Sequence, residues 1–287
     1  MTRKVAIVTD SVACLPPALV AEYGIELVPI ELHFGDRAYR DGVDISPTEF
    51  YTLFRQARNL PTTSAALPGS FLEAYHRASR RAPSILCITL SAKLSGMFNS
   101  AQMAVERLDG ALPATTIRVL DSGTAAAAQG LVVLAAARAA ASGEGLPGVM
   151  ATAKSVMERV RLLVMLDTLH YLVKGGRAPR LAGLATSLLQ VKPILTVADG
   201  EVHPVTNPRT TDGALKRILE LMGQKIVAGH PLHAAVMHAD ARDKAEVLKA
   251  QVSARFDCAE LLLTEFTPVM GAHTGPGVIG VAFYSGD

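Results

Sequence analysis

Short apolar runs alternate with helix-forming stretches along the first half of the chain. The apolar runs have the length of buried strands, and they predict strands at residues 5–9, 25–32, 85–90 and 117–120. The stretches between them predict helices at residues 16–23, 46–58, 70–80, 97–108 and 124–141. This alternation is typical of a parallel sheet that is covered by helices on both faces.

Two of these helices have a recognisable start. Ser46-Pro47-Thr48-Glu49 and Ser70-Phe71-Leu72-Glu73 both contain a serine that is followed three residues later by a glutamate. This spacing is the capping-box pattern, in which the two side chains satisfy backbone N–H groups at the end of a helix. The sequence therefore predicts that helices begin directly after Ser46 and Ser70.

The second half has a different pattern. Residues 194–198 and 201–206 resemble strands, and they flank Asp199-Gly200, a strong signal for a two-residue hairpin turn. A short helix is predicted at residues 167–173, where Gly175-Gly176 follows. Because hairpin strands are antiparallel, we expect a parallel-sheet α/β domain at residues 1–161 and an α+β domain with a mixed or antiparallel sheet at residues 162–287.

Composition narrows the class of protein. Hydrophobic residues make up 49% of the chain and charged residues 19%, which is typical of a globular protein with a large core. The net charge is +2, the basic residues are scattered and Trp is absent, so no nucleic-acid-binding surface is expected. The three cysteines are far apart and predict neither a zinc site nor a disulfide framework.

The N-terminal apolar run is too short for a signal peptide, and Arg138 interrupts the most apolar stretch of the chain. These features predict a cytoplasmic protein without an integral membrane segment.

Several predicted strands end in hydroxyl-bearing loops, which meet at one edge of a parallel sheet. The loop at residues 91–96 leads into a helix whose first N–H groups carry partial positive charge, an arrangement that favours an anion. Ser95-Gly96 is the best ligand candidate, because glycine lets a ligand approach the backbone closely. Ser11 follows the predicted strand at residues 5–9, and Ser122 follows the one at residues 117–120. Both serines are expected to be helix caps.

Three further segments carry polar groups. Thr62, Thr63 and Ser64 form a predicted loop with more hydroxyls than one cap needs. Glycines at 271, 275 and 277 predict a tight turn that presents His273. A helix C-cap explains the glycines of Lys174-Gly175-Gly176-Arg177, but it does not explain Arg177.

Motifs for catalysis and nucleotide binding are missing from the sequence. The chain has no GxxxxGK[ST], HExxH or GxSxG pattern, and no GxGxxG follows a predicted strand. Hydroxyls, one histidine and one or two arginines suit the binding of a carboxylate or phosphate better than the breaking of a bond. No cofactor or metal is expected.

Five segments, taken together and in order, resemble motifs of the DegV family, and the resemblance covers nearly the whole chain. They are TDS (9–11), TTS (62–64), SAKLSGMFNSA (91–101), LVKGGR (172–177) and HTGPG (273–277). Proteins of this family are bacterial fatty-acid-binding proteins, and some are the acyl-carrying subunit of a fatty acid kinase. The resemblance implies two domains with a long-chain fatty acid, such as palmitate, between them.

The resemblance also implies roles for particular residues. It implies that Thr63, with Thr62 adjacent, and Ser95, with Gly96 adjacent, hold the carboxylate, and that His273 lies near it. It makes Arg177 and Arg209 candidates for docking an ATP-dependent kinase or for binding the head group. In that scheme the protein has no catalytic residue, and the kinase phosphorylates the carboxylate that this protein presents.

Two other functions remain open from the residues alone. A serine hydrolase would use Ser95 as nucleophile and His273 as base. A phosphate-ester-binding module would need several cations, for which Lys93 and Arg177 are candidates. If the ligand is a lipid, the candidate lining of its cavity is Leu184, Leu188, Leu189, Ile194 and Leu195, although the pattern of each also fits an ordinary core residue.

Overall fold

The structure is a computed structural model that describes residues 3–108, 110–184, 191–227 and 229–286. These residues form thirteen strands and ten α-helices. The strands are β1 (Val5–Asp10), β2 (Glu26–Val28), β3 (Glu31–Phe34), β4 (Arg37–Arg40), β5 (Thr62–Ser64), β6 (Ser84–Thr89), β7 (Thr116–Asp121), β8 (Arg161–Met165), β9 (Ile194–Ala198), β10 (Glu201–Thr206), β11 (Leu232–Ala239), β12 (Cys258–Glu265) and β13 (Val278–Ser285). The helices are α1 (Pro17–Tyr23), α2 (Pro47–Gln56), α3 (Pro68–Ser79), α4 (Met97–Glu106), α5 (Ala126–Ala141), α6 (Leu146–Arg159), α7 (His170–Lys174), α8 (Thr211–Gly223), α9 (Arg242–Arg255) and α10 (Pro268–Thr274).

The predicted parallel sheet is confirmed. Its strand order is β2-β1-β6-β7, and all neighbouring strands are parallel. The prediction of one strand at residues 25–32 is wrong, because β2 belongs to this sheet and β3 to another. Pro29 lies between the two strands and has no N–H to donate to a ladder, so the chain leaves the sheet there.

A three-stranded antiparallel sheet with the order β4-β3-β5 was not predicted. It includes the segment that was expected to be a loop, because Thr63 pairs with Leu32 of β3. Side chains alternate between the two faces of a strand. Thr63 therefore lies on the same face as the fully buried Leu32, whereas Thr62 and Ser64 are exposed.

The second half forms a six-stranded mixed sheet with the order β10-β9-β8-β13-β11-β12. Only the β11–β12 pair of this sheet is parallel. The hairpin prediction is confirmed: β9 and β10 are antiparallel, and Asp199 and Gly200 both have positive φ, at 51° and 78°. The predicted class, a parallel α/β part followed by a mixed α+β part, is therefore correct.

Helix α5 packs between the two large sheets, against β1 on one side and β11 and β13 on the other. It is buried on nearly all sides, and this position would force the polar face of an amphipathic helix into the core. Its alanines provide the short side chains that let both sheets approach. One continuous core therefore runs through both halves, and the division at residues 161 and 162 stays a prediction.

Proline decides where two helices begin. The capping box at Ser46 and Glu49 is confirmed, with bonds in both directions. The predicted start after Ser70 is wrong, because α3 begins at Pro68 and Ser70 lies in its first turn. His273 likewise lies within α10, which begins at Pro268, and not in the predicted turn. Proline is favoured at the first helical position, because the missing N–H would have no partner there.

Within the described ranges, no helix has both the length and the apolar character that crossing a bilayer requires.

Candidate functional site

One cavity lies between the carboxyl ends of β1, β6 and β7 and a face of the six-stranded sheet. Its empty space, counted together with the open mouth, is about 850 Å³. Leu162 and Val164 of β8 and Leu195 and Val197 of β9 form one wall. The exposed walls are almost entirely apolar, so an apolar ligand would lose water contact without leaving buried polar groups unpaired.

The five candidate lining residues from the sequence have three different outcomes. Leu195 lines the cavity as predicted. Ile194 does not line it, because this neighbouring residue points to the other face of the sheet and packs into a separate core, which was the alternative for this residue. Leu188, Leu189 and the side chain of Leu184 lie outside the described residues.

A hydrogen bond joins the two halves of the protein at the cavity. Thr63 Oγ1 and His273 Nε2 lie 2.8 Å apart, and both residues line the cavity. Thr63 reaches this position because β5 turns its side chain inward. His273 reaches it from the last turn of α10.

His273 is neutral near pH 7. Burial lowers its pKa to about 4, and the positive charge of Arg177 adds to the shift. Its Nδ1 is buried and has no hydrogen-bond partner among the described residues. A neutral ring has one N–H, and placing it on Nδ1 would leave a buried donor unpaired. The proton therefore belongs on Nε2, which donates to Thr63 Oγ1 and leaves the Thr63 hydroxyl proton for another acceptor.

The two glycines before Arg177 have different causes. A Cβ at Gly175 would lie 2.7 Å from His273 Nδ1, so a side chain there would displace the imidazole. Gly176 has φ of +74°, in the left-handed region that ends many helices. The expected C-cap accounts for Gly176 only. Gly175 makes room for His273.

Arg177 is half-buried at the cavity, and its Nη1 donates to the carbonyl oxygen of Gly175 at 2.7 Å. Loss of water around the guanidinium lowers its pKa, but an arginine stays charged under any ordinary condition. Among the described residues that line the cavity, it is the one with a permanent charge.

Ser95 also lines the cavity, and no hydrogen bond joins its Oγ to another described residue. The loop that carries it is fixed by Ser91, whose Oγ donates to the carbonyl oxygen of Gly200 at 2.7 Å. Helix α4 begins just after Ser95, with Gly96 as N-cap and no side chain that satisfies its first N–H groups. A Cβ at Gly96 would lie 3.5 Å from that of Ala65, so this loop packs beside β5.

Thr63, Ser95, His273 and Arg177 are thus brought together at one cavity, and Thr62 and Arg209 are not. Thr62 lies on the exposed face of β5, and Arg209 lies on the surface after β10. Gly96 is exposed and is the N-cap of α4, directly after Ser95. Ser122 makes local bonds, as a cap would. Ser11 instead accepts from the N–H of Ile30, and Asp10 is the cap.

The geometry of the described residues does not favour the hydrolase hypothesis. His273 bonds to Thr63 and not to Ser95, and no carboxylate of the described chain contacts its Nδ1. A catalytic triad needs both contacts. The described residues also contain no cluster of three side chains suited to a metal ion.

Sequence reasoning missed most of the apolar wall, including Val164, Phe266 and Met270. These residues have the same local pattern as ordinary core residues, so no signal in the sequence distinguishes them. It also missed two buried carboxyl groups, Asp10 and Asp41. The one signal for Asp10 was its place in the TDS segment.

Comparison with known proteins gives one consistent family. The chain matches the family model described as an uncharacterised protein of the DegV family over residues 4–286. It is 37% identical over 287 residues to a DegV domain-containing protein of Streptomyces coelicolor, covering 99% of this chain and 100% of that one. It is 30% identical over 280 residues to Protein DegV of Bacillus subtilis, covering 97% and 98%.

Two solved structures are similar in fold along the whole chain. A DegV family protein from Thermus thermophilus, described as binding fatty acid, has a TM-score of 0.90 and 29% identity, with 98% and 99% of the two chains covered. DegV of Bacillus subtilis, described as a fatty acid binding protein, also has a TM-score of 0.90 and 29% identity, with 99% and 100% covered.

Proposed function

Since this chain belongs to the DegV family, we propose that it binds one long-chain fatty acid, such as palmitate, in the cavity between its two halves. We further propose that it presents the carboxylate to an ATP-dependent kinase, which forms an acyl phosphate. The protein itself is then a carrier without catalytic residues. In this proposal residues 1–161 and 162–287 are the two domains that enclose the ligand, and the protein acts in the cytoplasm.

The observation that carries the proposal is the contrast inside one cavity. Polar side chains from four segments of the chain, Thr63, Ser95, Arg177 and His273, line this cavity, and its remaining walls are mostly apolar. A fatty acid has the same division between a polar head and an apolar tail. Burying some 14 methylenes contributes roughly 11 kcal/mol at about 0.8 kcal/mol each, before the cost of association is subtracted.

Three groups support the binding of the carboxylate. The Thr63 hydroxyl has a proton to donate, because His273 already donates to its oxygen. Ser95 adds a second hydroxyl, and the first turn of α4 adds partial positive charge beside it. Arg177 supplies the formal positive charge that favours an anion in a poorly solvated site.

The proposed kinase step rests on the sequence and on the surface position of Arg209. The chain has no GxxxxGK[ST] motif, so ATP would be bound by the partner. Arg209 is exposed and does not line the cavity, as a docking residue should be. Arg177 lies at the cavity and suits the head group, the docking of the kinase, or both.

The alternatives have less support. A hydrolase would need His273 to contact Ser95 and a carboxylate, and neither contact is made. A phosphate ester would need several cations, whereas Lys93 lies outside this cavity and pairs with Glu201.

The test is to identify and exchange the ligand. Native mass spectrometry of the purified protein should show one added C14 to C18 acid, and delipidated protein should bind palmitate. Palmitate methyl ester is the matched control, because it keeps the tail and removes the anionic head. We expect the ester and hexadecyl phosphate to bind at least tenfold more weakly than palmitate. Delipidated protein that ignores palmitate, or that prefers the phosphate ester, would contradict the proposal.

A further inference from the structure

Helix α10, which carries His273, is capped by a residue from a distant part of the chain. Its N-cap residue is Thr267, whose side chain makes no capping hydrogen bond. Pro268 has no N–H, so Val269 has the first N–H of the helix. That N–H donates to Oδ1 of Asp41 at 3.1 Å, across 228 residues of sequence.

Asp41 is suited to this task because it is fixed and enclosed. Its side chain is almost fully buried, with 2% relative exposure. Its own N–H donates to the carbonyl oxygen of Ile30 at 2.9 Å, directly before β3. Strand β3 in turn pairs with β5, where Leu32 lies opposite Thr63. Asp41 is therefore anchored to the strand that places Thr63.

The residue that Asp41 caps, Val269, lies in the same short helix as His273. Val269 and His273 are four residues apart in α10, so they lie on one face of the helix, one turn apart. Both line the cavity. A displacement of the first turn passes directly to the last in a helix of seven residues. Asp41 is thus connected to Thr63 through β3 and to His273 through Val269.

We propose that Asp41 is a positioning residue, which holds α10 and β3 in register so that His273 meets Thr63. The second oxygen of Asp41, Oδ2, makes no hydrogen bond of normal length and angle in the described part of the chain, although the hydroxyls of Ser11 and Thr267 lie near enough to lower the pKa of the carboxyl. Burial raises the pKa of the Asp41 carboxyl. The acceptor atom Oδ1 is what matters, and asparagine retains one.

The relevance for the ligand rests on the proposed function, but the positioning itself can be tested without a ligand. The first readout is the ¹⁵N spectrum of the His273 ring in delipidated protein. The wild type and Asp41→Asn should show a neutral ring with the proton on Nε2. Asp41→Ala should shift or broaden this signal, because the capping acceptor is lost. An unchanged His273 signal in Asp41→Ala would overturn the inference.

The second readout is coupling in palmitate binding. We expect Asp41→Ala to weaken binding about fivefold, the ratio that corresponds to loss of one helix cap, and Asp41→Asn to stay within about twofold of wild type. Combined with His273→Gln, Asp41→Ala should add almost nothing. Combined with Ser95→Ala, which lies on another element, the two effects should multiply. If the fold-changes of Asp41→Ala and His273→Gln multiply in the double variant, the inference is overturned.

A rescue variant covers the case in which Asp41→Ala does not fold. Thr267→Asp places a carboxylate at the N-cap itself, where it can accept from the first turn of α10. The double variant Asp41→Ala/Thr267→Asp should recover the folded protein and the His273 signal. A double variant that stays unfolded, or that folds without the native signal, overturns the inference. A wild type that binds no fatty acid would refute the proposed function but leave the ¹⁵N result intact.

Discussion

Replacing Thr63 with valine removes one hydroxyl group from the cavity and keeps the branched shape of the side chain. The structure shows one hydrogen bond of this hydroxyl, to His273, and the proposed function adds a second, to the carboxylate of the fatty acid. Its oxygen accepts from Nε2 of His273 at 2.8 Å, and its proton is available to the ligand carboxylate. The valine variant loses both bonds and leaves the His273 N–H without an acceptor.

The magnitude follows from the charge of the partner. A hydrogen bond to a charged group contributes about 1.5–3 kcal/mol, which corresponds to a roughly 10- to 150-fold weaker affinity for palmitate. The free energy of unfolding should also fall, by about 1–3 kcal/mol, because a buried donor is left unpaired. Stability and binding therefore change together in this variant.

Thr62→Val is the matched control. The two residues are of the same type and adjacent, but Thr62 lies on the exposed face of β5. Both variants are delipidated and titrated with palmitate by displacement of a fluorescent fatty acid, and urea unfolding gives their stabilities. The reasoning is refuted if Thr63→Val binds palmitate as well as Thr62→Val does, or if Thr62→Val is the weaker binder.

Three other predictions follow from the site. Arg209→Ala should retain palmitate affinity and lower the rate at which a partner kinase forms acyl phosphate; loss of the lipid in this variant would place Arg209 in the pocket. Gly175→Ala should destabilise the protein by about 1–3 kcal/mol in urea unfolding, because the new Cβ would lie 2.7 Å from His273 Nδ1. Gly69→Ala is the control, since a Cβ there meets open space and should not destabilise the protein. Equal stabilities of the two variants would contradict the packing of Gly175 against His273. The folded-state pKa of His273, about 4, lies below its ordinary value of 6.5, so its contribution to stability is complete above pH 6.5 and is lost as the pH falls towards 4. Asp10, whose pKa is raised to about 6, changes the stability in the opposite direction with pH. The readout is therefore the difference in the free energy of unfolding between wild type and His273→Gln, which should shrink as the pH falls from 6.5 towards 4. A constant difference would mean that His273 titrates normally.

Local signals in the sequence predicted the parts of the fold that depend on neighbours along the chain. Apolar runs located β1, β6 and β7, the capping box located α2, and Asp199-Gly200 located the hairpin. Each signal acts within a few residues, through side-chain alternation, a cap or a turn. Where two local signals competed, as Pro68 and Ser70 did at the start of α3, proline was the better guide.

The candidate residues of the site came from motifs and from family resemblance, and their roles in binding stay predictions. What the sequence could not provide was their arrangement. Thr63 faces the cavity and Thr62 does not because β5 pairs with β3 in one register, and a shift by one residue would exchange them. No property of the two threonines themselves distinguishes them.

The sequence by itself therefore determined the class of the fold, the helices and strands with strong local patterns, and the set of polar groups from which a site could be built. Only the tertiary structure decided which of these groups meet. Thr63 and His273 are 210 residues apart, and Asp41 and Val269 are 228 apart. Contacts at such separations depend on how the sheets pack around α5, and local periodicity contains no information about that packing.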